Sequence, residues 1–186
     1  MKRNSIQTNR LNIRAFSPQD AQDLYEYLSD PLVYQYEPGE PINLKQAFSY
    51  ASDMANNEHF WAVELRIEKK VIGQLYFCQQ EPKQLMTWEL GYIMSPHFQQ
   101  QGYGSEAAQT LVKYGFQQLG VHRVQAHCNP GNIASWKLLE KIGFRREGLL
   151  RKNIYFNKDA QGQPFWMDSY VYARLEDKFE NNIGEE

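Results

Sequence analysis

Hydrophobic and polar positions along the chain follow two periods, one typical of strands and the other typical of amphipathic helices. An alternating segment from Leu11 predicts a short strand, and two helices are expected after it. The first helix has Ser17 as its expected N-cap and a proline at its first position, and it should end near Asp30, which precedes another proline. The second should be capped by Asn43 and reach about Ala55.

The pattern then changes to the period of strands. The runs "FWAVELRI" and "VIGQLYF" predict a hairpin with a short turn, and "LMTWELGYIM" predicts the next strand. Together with the strand at Leu11, these segments favour four antiparallel strands. In "TWELGYIM" the alternation places Trp88, Leu90 and Tyr92 on one face of the strand and Glu89 on the other.

Helical spacing returns after Gly104 and predicts a long third helix. A strand "HRVQAHC" follows, then a helix over residues 132–142 that Gly143 should end, and then two last strands. The predicted order is β-α-α-β-β-β-α-β-α-β-β, which indicates one mixed α/β (α+β) domain. Its core is expected over about residues 9–176 of the 186, and residues 177–186 form a polar tail.

Composition narrows the classes of partner. The formal net charge is −2, from 20 basic and 22 acidic residues, so neither nucleic acid nor a membrane surface is expected as a partner. No apolar run is long enough for a membrane span. Two cysteines fit a reducing compartment, and a cytoplasmic location is expected. His122, His127 and Cys128 do not converge on one face of their strand, so no metal site is predicted.

The segment "HFQQQGYGSEAA" combines a Gly-x-Gly with the start of a helix, which is typical of phosphate-binding loops. A triphosphate loop is excluded because the chain contains no Gly-Lys pair. Gly102, Gly104 and Ala107 do satisfy the dinucleotide fingerprint G-x-G-x-x-A. That interpretation is disfavoured because "SPHFQQQ" separates the strand from the glycines, and no carboxylate follows about 20 residues later.

The six residues from Gln99 to Gly104 match Q/R-x-x-G-x-G/A, and here the chain resembles the GNAT superfamily of N-acetyltransferases. The resemblance extends over nearly the whole chain, and it is strongest to the branch that acetylates ribosomal-protein N-termini. It implies a mixed, mostly antiparallel sheet splayed between its fourth and fifth predicted strands and flanked by helices. It also implies acetyl-CoA as co-substrate, a primary amine as acceptor and direct attack by that amine, and a homodimer is a further expectation from the resemblance.

The resemblance also implies which residues bind acetyl-CoA. The pyrophosphate would lie on the loop and helix start, which comprise Gln99, Gln100, Gln101, Gly102, Tyr103, Gly104 and Ser105. The alternative is a plain glycine-rich turn that caps a helix. Ile93 and Met94 would pair their backbone with the pantetheine arm. Asn132 would reach the same arm or serve as an N-cap, and the two roles can coexist.

For catalysis, Glu89 is the candidate general base, because a carboxylate in a central strand is unusual without a partner or a purpose. A structural ion pair or a solvent-facing position is the alternative. Leu139 occupies the place where several family members have a tyrosine acid. Ser135 could then donate to the leaving sulfur, unless it is an ordinary serine of a first helical turn, and Tyr103 is a further candidate.

Aromatic residues in loops and at strand ends are candidates for the wall of the amine site, with aromatic core as the alternative: Tyr34, Tyr36, Tyr155 and Trp166. The absence of the tyrosine acid leaves a second class of function open. The chain could be a non-catalytic acyl-CoA-binding or regulatory module of the same fold.

Overall fold

The computed structural model describes residues 5–176, so the polar tail expected at residues 177–186 lies outside the described residues. The strands are β1 (Ile6–Gln7), β2 (Leu11–Arg14), β3 (Phe60–Leu65), β4 (Lys70–Gln79), β5 (Thr87–Met94), β6 (Arg123–Cys128), β7 (Arg145–Ile154) and β8 (Met167–Leu175). The helices are α1 (Ala21–Leu28), α2 (Leu44–Asn56), α3 (Tyr103–Gln118) and α4 (Ile133–Lys141).

The predicted helix starts are confirmed by their capping geometry. The backbone N–H of Ser17 donates to Asp20 Oδ2 at 2.8 Å, and this capping box begins a short 3₁₀ turn that leads into α1. Asn43 Oδ1 accepts from the backbone N–H of Gln46 at 3.0 Å at the start of α2. Gly143 follows α4 with φ of 86°, the left-handed conformation that favours glycine.

All eight strands form one sheet in the order β1-β2-β3-β4-β5-β6-β8-β7. Every neighbouring pair is antiparallel except β5 and β6, which run parallel. The sequence prediction had missed β1, because a strand of two residues is too short to show an alternating pattern.

The sheet opens between β5 and β6. Because β1 was not predicted, these are the fourth and fifth predicted strands, and the expected splay between them is confirmed. These strands pair over only three positions, from Thr87 opposite Arg123 to Glu89 opposite Gln125. Beyond that point β6 continues to pair with β8 alone. The last five residues of β5, 90–94, therefore have no β6 partner, and their backbone groups on that edge face the opening.

Helices cover both faces of the sheet. One buried cluster joins α3 and α4 to the central strands, and the other joins α1 and α2 to the opposite face. Helix α3 approaches the sheet closely at Gly115, where a Cβ atom would lie 2.7 Å from Phe77 Cζ of β4. Glycine at this position therefore lets α3 lie directly on the sheet. The N-terminus of α3 lies at the opening beside the end of β5, where residues of both elements line one cavity.

Candidate functional site

Two cavities share a wall at the opening of the sheet. The larger, of about 510 Å³, lies between the end of β5, the start of α3, the start of α4 and the loop after α1. The smaller, of about 130 Å³, lies between that same loop, the end of β6 and residues next to the β7–β8 connection. The residues that line both cavities are Tyr36, Glu37, Asn132 and Ser135.

The glycine loop forms one end of the larger cavity. Gln99, its first constrained residue, donates from Nε2 to the Met94 carbonyl at 3.2 Å and so ties the loop to the end of β5. Gln100 and Gly102 adopt left-handed conformations, with φ of 59° and 81°. Gly102 is the N-cap of α3 and offers no side-chain cap. The first N–H groups of the helix are therefore available to an anion at this end of the cavity.

Arg10 of the β1–β2 turn supports the loop from outside, a contact that the sequence analysis missed. Its Nη1 donates to the Gln101 carbonyl at 3.0 Å, and its Nη2 lies 2.6 Å from Glu106 Oε2 of α3. The guanidinium also lies 4.3 Å from the centre of the Tyr103 ring. Arg10 thereby joins the loop to the first turn of α3, although 91 residues separate it from Gln101.

Nine of the ten residues predicted to bind the cofactor line the larger cavity: Ile93, Met94, Gln99, Gln100, Gly102, Tyr103, Gly104, Ser105 and Asn132. Gln101 is the exception, since its side chain turns back to donate to the His97 carbonyl at 3.2 Å. Gly104 is closely surrounded, because a Cβ atom there would lie 3.1 Å from Leu138 Cδ1 and 3.3 Å from Met94 Cγ. A larger residue at Gly104 would therefore displace Leu138 and Met94 or extend into the cavity that all three residues line.

Asn132 and Ser135 stand where the two cavities meet. Asn132 Oδ1 accepts from the Ser135 backbone N–H at 3.1 Å, so the residue is an N-cap of α4 and a cavity residue at once. Its side-chain NH₂ donates to no other described residue. Ser135 Oγ lies 2.9 Å from the Tyr92 hydroxyl, which also donates to the Ser135 carbonyl at 3.1 Å.

Tyr92 places a phenol at the site that the sequence analysis had not assigned. Burial is the main cause that raises the pKa of Tyr92, so the hydroxyl stays protonated and can donate a hydrogen bond at neutral pH. Leu139, where the resemblance implied a tyrosine, is fully buried in the core. A phenol therefore does reach the site, but from β5 rather than from α4.

Glu37 is a second residue that the sequence analysis missed. It follows Tyr36 in the loop after α1 and lines both cavities. No described residue forms a hydrogen bond or an ion pair with its carboxylate. Desolvation by burial raises the pKa of Glu37 to about 7. A single carboxylate in a loop gives no periodic signal, so only the fold reveals this position.

Glu89 lies where β5 and β6 separate and lines neither cavity. Its side chain is 34% exposed, and its Oε1 is 3.6 Å from Nδ1 of His127, which does line the smaller cavity. Glu89 thus lies behind His127 at the edge of the smaller cavity, which Ser135 also lines, and its role as a base stays a prediction.

The predicted aromatic residues divide into three groups. Tyr36 lines both cavities. Tyr34 packs against the cluster under α1 and α2 and donates its hydroxyl to the Leu28 carbonyl at 2.9 Å, so it lies outside them. Tyr155 and Trp166 stack edge to face, with ring centres 5.1 Å apart. Three of their chain neighbours line the smaller cavity: Ile154, Phe156 and Met167. The substrate roles of all four residues remain predictions.

Within residues 5–176, no three His, Cys, Asp or Glu side chains are grouped as metal ligands. Cys78 and Cys128 are both free thiols. None of the helices in this part of the chain is long and apolar enough to cross a membrane.

Fold and site together define a class of protein, one that binds an extended anionic ligand in an opened sheet. A mixed sheet opens along one strand edge, and a helix N-terminus with a glycine loop stands at one end of the opening. Such a site suits an extended ligand with an anionic end, whose reactive end would reach the point where the second cavity begins.

Comparisons with known proteins agree with this class. Residues 10–145 match the family model described as acetyltransferase (GNAT) domain. Uncharacterized N-acetyltransferase YnaD of Bacillus subtilis (strain 168) is 38% identical over 175 residues, which cover 94% of this chain and 98% of the relative. The chain therefore belongs to the GNAT family of N-acetyltransferases.

Two further proteins extend the comparison. The crystal structure of the acetyltransferase (GNAT family) from Bacillus anthracis has a TM-score of 0.82 and 34% identity, covering 92% of this chain and 98% of that one. The [Ribosomal protein uS5]-alanine N-acetyltransferase of Escherichia coli (strain K12) is 26% identical over 180 residues, covering 90% and 89% of the two chains. The resemblance to the ribosomal-protein branch is thus confirmed.

Proposed function

We propose that this protein transfers an acetyl group from acetyl-CoA to a primary amine. The observation that carries the proposal is the meeting of two cavities at four shared residues, Tyr36, Glu37, Asn132 and Ser135. A transfer between two substrates needs both reacting atoms at one point, and a shared wall between two pockets provides it.

The residues of the larger cavity fit coenzyme A. Its volume of about 510 Å³ suits a small-molecule ligand. The pyrophosphate would be held by the loop from Gln99 to Gly102 and by the first N–H groups of α3. The unpaired edge of β5 at Ile93 and Met94 would hydrogen-bond the amides of the pantetheine arm. Asn132 would add its free side-chain NH₂.

Bound acetyl-CoA supplies the acetyl thioester. The amine nitrogen forms a bond to the acetyl carbon, the carbon–sulfur bond breaks, and the sulfur leaves with that electron pair and takes up a proton. Ser135 is the proposed donor to the sulfur. The Tyr92 hydroxyl, 2.9 Å from Ser135 Oγ, would supply a proton to Ser135 or hold its hydroxyl in position.

The smaller cavity is the proposed entrance of the amine. Its 130 Å³ has room for the amino group and its first substituents only, since one water takes about 30 Å³ in the liquid. The rest of the acceptor would then extend outward past the pair Tyr155 and Trp166. Either a protein N-terminus or a small-molecule amine has this form, and the Escherichia coli relative is named for an N-terminal alanine.

Two measurements test the proposal. Calorimetry of acetyl-CoA binding is followed by thiol release with peptides that begin with alanine or serine, with spermidine and with benzylamine. We expect binding and turnover of at least one amine. Binding without any turnover would favour the non-catalytic acyl-CoA-binding module, and failure to bind acetyl-CoA would contradict both functions.

A pair of serine variants tests the site itself. Ser135→Ala should lower kcat by about 10²-fold or more if the hydroxyl protonates the sulfur. Ser49→Ala is the matched control, because Ser49 is an exposed serine of α2 outside both cavities. Equal rates in the two variants would remove Ser135 from the mechanism.

A further inference from the structure

Glu37 faces the point where the acetyl carbon and the amine nitrogen would meet. It belongs to the loop that follows the 3₁₀ turn Pro31–Gln35, and it lines both cavities together with Asn132 and Ser135. Tyr92, whose hydroxyl contacts Ser135, lines the larger cavity with Glu37, and the Glu37 charge is a minor cause of the raised pKa of Tyr92, after burial and Cys128.

The carboxylate of Glu37 has no structural partner that would explain it. Among the described residues it forms no hydrogen bond and no ion pair, whereas Glu64 and Glu106 are both paired with arginines. An unpaired carboxylate that loses water on burial destabilises the fold. Such a cost is typical of residues that are kept for function.

Other titratable groups line the same cavities: Tyr36 of the same loop, Tyr92 of β5, Tyr103 of α3, His127 and Cys128 of β6, Lys137 and Lys141 of α4, and Asp168 of β8. Burial is the main cause that raises the pKa of the Cys128 thiol, so it stays protonated at neutral pH. The Asp168 carboxylate already accepts from the Lys152 backbone N–H at 2.8 Å. Of the imidazole and carboxylate groups that line the two cavities, Glu37 and His127 form no hydrogen bond with a described residue. His127 lies 3.6 Å from Glu89, and only Glu37 lines both cavities.

We infer that Glu37, rather than Glu89, accepts the proton of the acceptor ammonium, an inference that rests on the acetyl transfer proposed above. The ammonium gives one proton to the Glu37 carboxylate, and the freed electron pair of nitrogen forms the bond to the acetyl carbon. The sulfur leaves with the pair of the carbon–sulfur bond. As the amide forms, a second proton leaves nitrogen through water to Ser135, which passes its own proton to the sulfur and so ends unchanged, and Glu37 returns the first proton to water.

The ionisation of Glu37 suits this step. A base works best when its pKa lies near the working pH, and burial has moved the pKa of Glu37 from its ordinary range to about 7. Glu37 is therefore ionised above neutral pH and can still hold a proton briefly before passing it to water. Activity should accordingly rise with pH through about 7.

The test compares kcat/KM against pH for wild type, Glu37→Gln, Glu89→Gln and Glu40→Gln, with the best amine of the panel above. Glu40 is the matched control, because it is an exposed glutamate of the same loop that lines neither cavity. We expect Glu37→Gln to lower kcat/KM by about 10²-fold to 10⁴-fold. It should also abolish the limb near pH 7, the part of the pH profile over which kcat/KM rises. Glu89→Gln and Glu40→Gln should keep that limb.

Affinity for acetyl-CoA, measured by calorimetry, separates chemistry from folding, and Glu37→Gln should change Kd by less than about threefold. Activity of Glu37→Gln within about fivefold of wild type, or loss of the limb in Glu89→Gln alone, would overturn the assignment of Glu37 while leaving acetyl transfer intact. Absence of turnover by the wild type would instead overturn the proposed function and this inference with it.

Discussion

The hydroxyl of Tyr92 offers a sharp test of how the leaving sulfur is protonated. Replacement by phenylalanine removes a single oxygen and keeps the ring that packs against the core. The lost contacts are those to Ser135 Oγ at 2.9 Å and to the Ser135 carbonyl at 3.1 Å. No other described partner is left without its donor.

The size of the effect separates two roles. If the Tyr92 hydroxyl only positions Ser135, the loss is that of one hydrogen bond, about 1 kcal/mol, which corresponds to about fivefold in kcat. If Tyr92 and Ser135 together deliver the proton, the loss is that of a general acid, about 10²-fold to 10⁴-fold. The two expectations do not overlap, and we expect the larger.

The assay is thiol release at saturating acetyl-CoA, with thermal unfolding measured in parallel. Tyr27→Phe is the matched control, since its buried hydroxyl also makes a hydrogen bond, to Gln74 Oε1 at 2.9 Å, but lies under α1 and α2 away from the cavities. This control should lose about 1–3 kcal/mol of stability, because Gln74 is left unsatisfied, while kcat is unchanged. A kcat for Tyr92→Phe within fivefold of wild type would refute proton delivery by this pair.

Three further predictions concern the loop, the core and the pH dependence of stability. Gly104→Val should weaken acetyl-CoA affinity by at least about tenfold in calorimetry, because its side chain would enter the larger cavity, whereas Gly148→Val, with nothing within 4 Å of its Cβ position, should not. Gly115→Ala should lower the unfolding free energy by about 1–3 kcal/mol in urea titration, since its Cβ would meet Phe77, and an unchanged midpoint would contradict that packing. The raised pKa of Glu37 stabilises the fold at low pH relative to high pH, a contribution that is lost as pH rises through about 7. Glu37→Gln should therefore flatten the fall in stability between about pH 4.5 and pH 7, and an unchanged slope would show that Glu37 is not desolvated.

Local features of the chain made most of the elements predictable. Ser17 and Asn43 cap helices through residues only three positions away, so their role is readable from neighbours in sequence. The strand β1 escaped prediction because two residues carry too little pattern. Pairing also escaped, since the parallel contact of β5 with β6 joins Thr87 to Arg123 across a whole helix.

The site likewise divides into local features that the sequence predicts and long-range contacts that it does not. Most of the loop predicted to bind the cofactor does line the larger cavity, because Gln99 to Ser105 are consecutive and a loop followed by a helix N-terminus is a local structure. Gln101 differed because one side chain can fold back onto the chain without changing the pattern. Arg10 stayed unseen because its contact spans 91 residues.

By itself the sequence therefore determined the order of elements, the capped helix starts and the loop that marks the GNAT family. These properties depend on hydrogen bonds and side-chain periods within a few residues. The tertiary structure alone decided that Glu37 and Tyr92 line the same cavity as Ser135, whereas Glu89 lines neither cavity. Glu37, Tyr92 and Ser135 come from a loop, a strand and a helix. Only the packing of both helix layers on an opened sheet brings side chains so distant in the chain to one cavity.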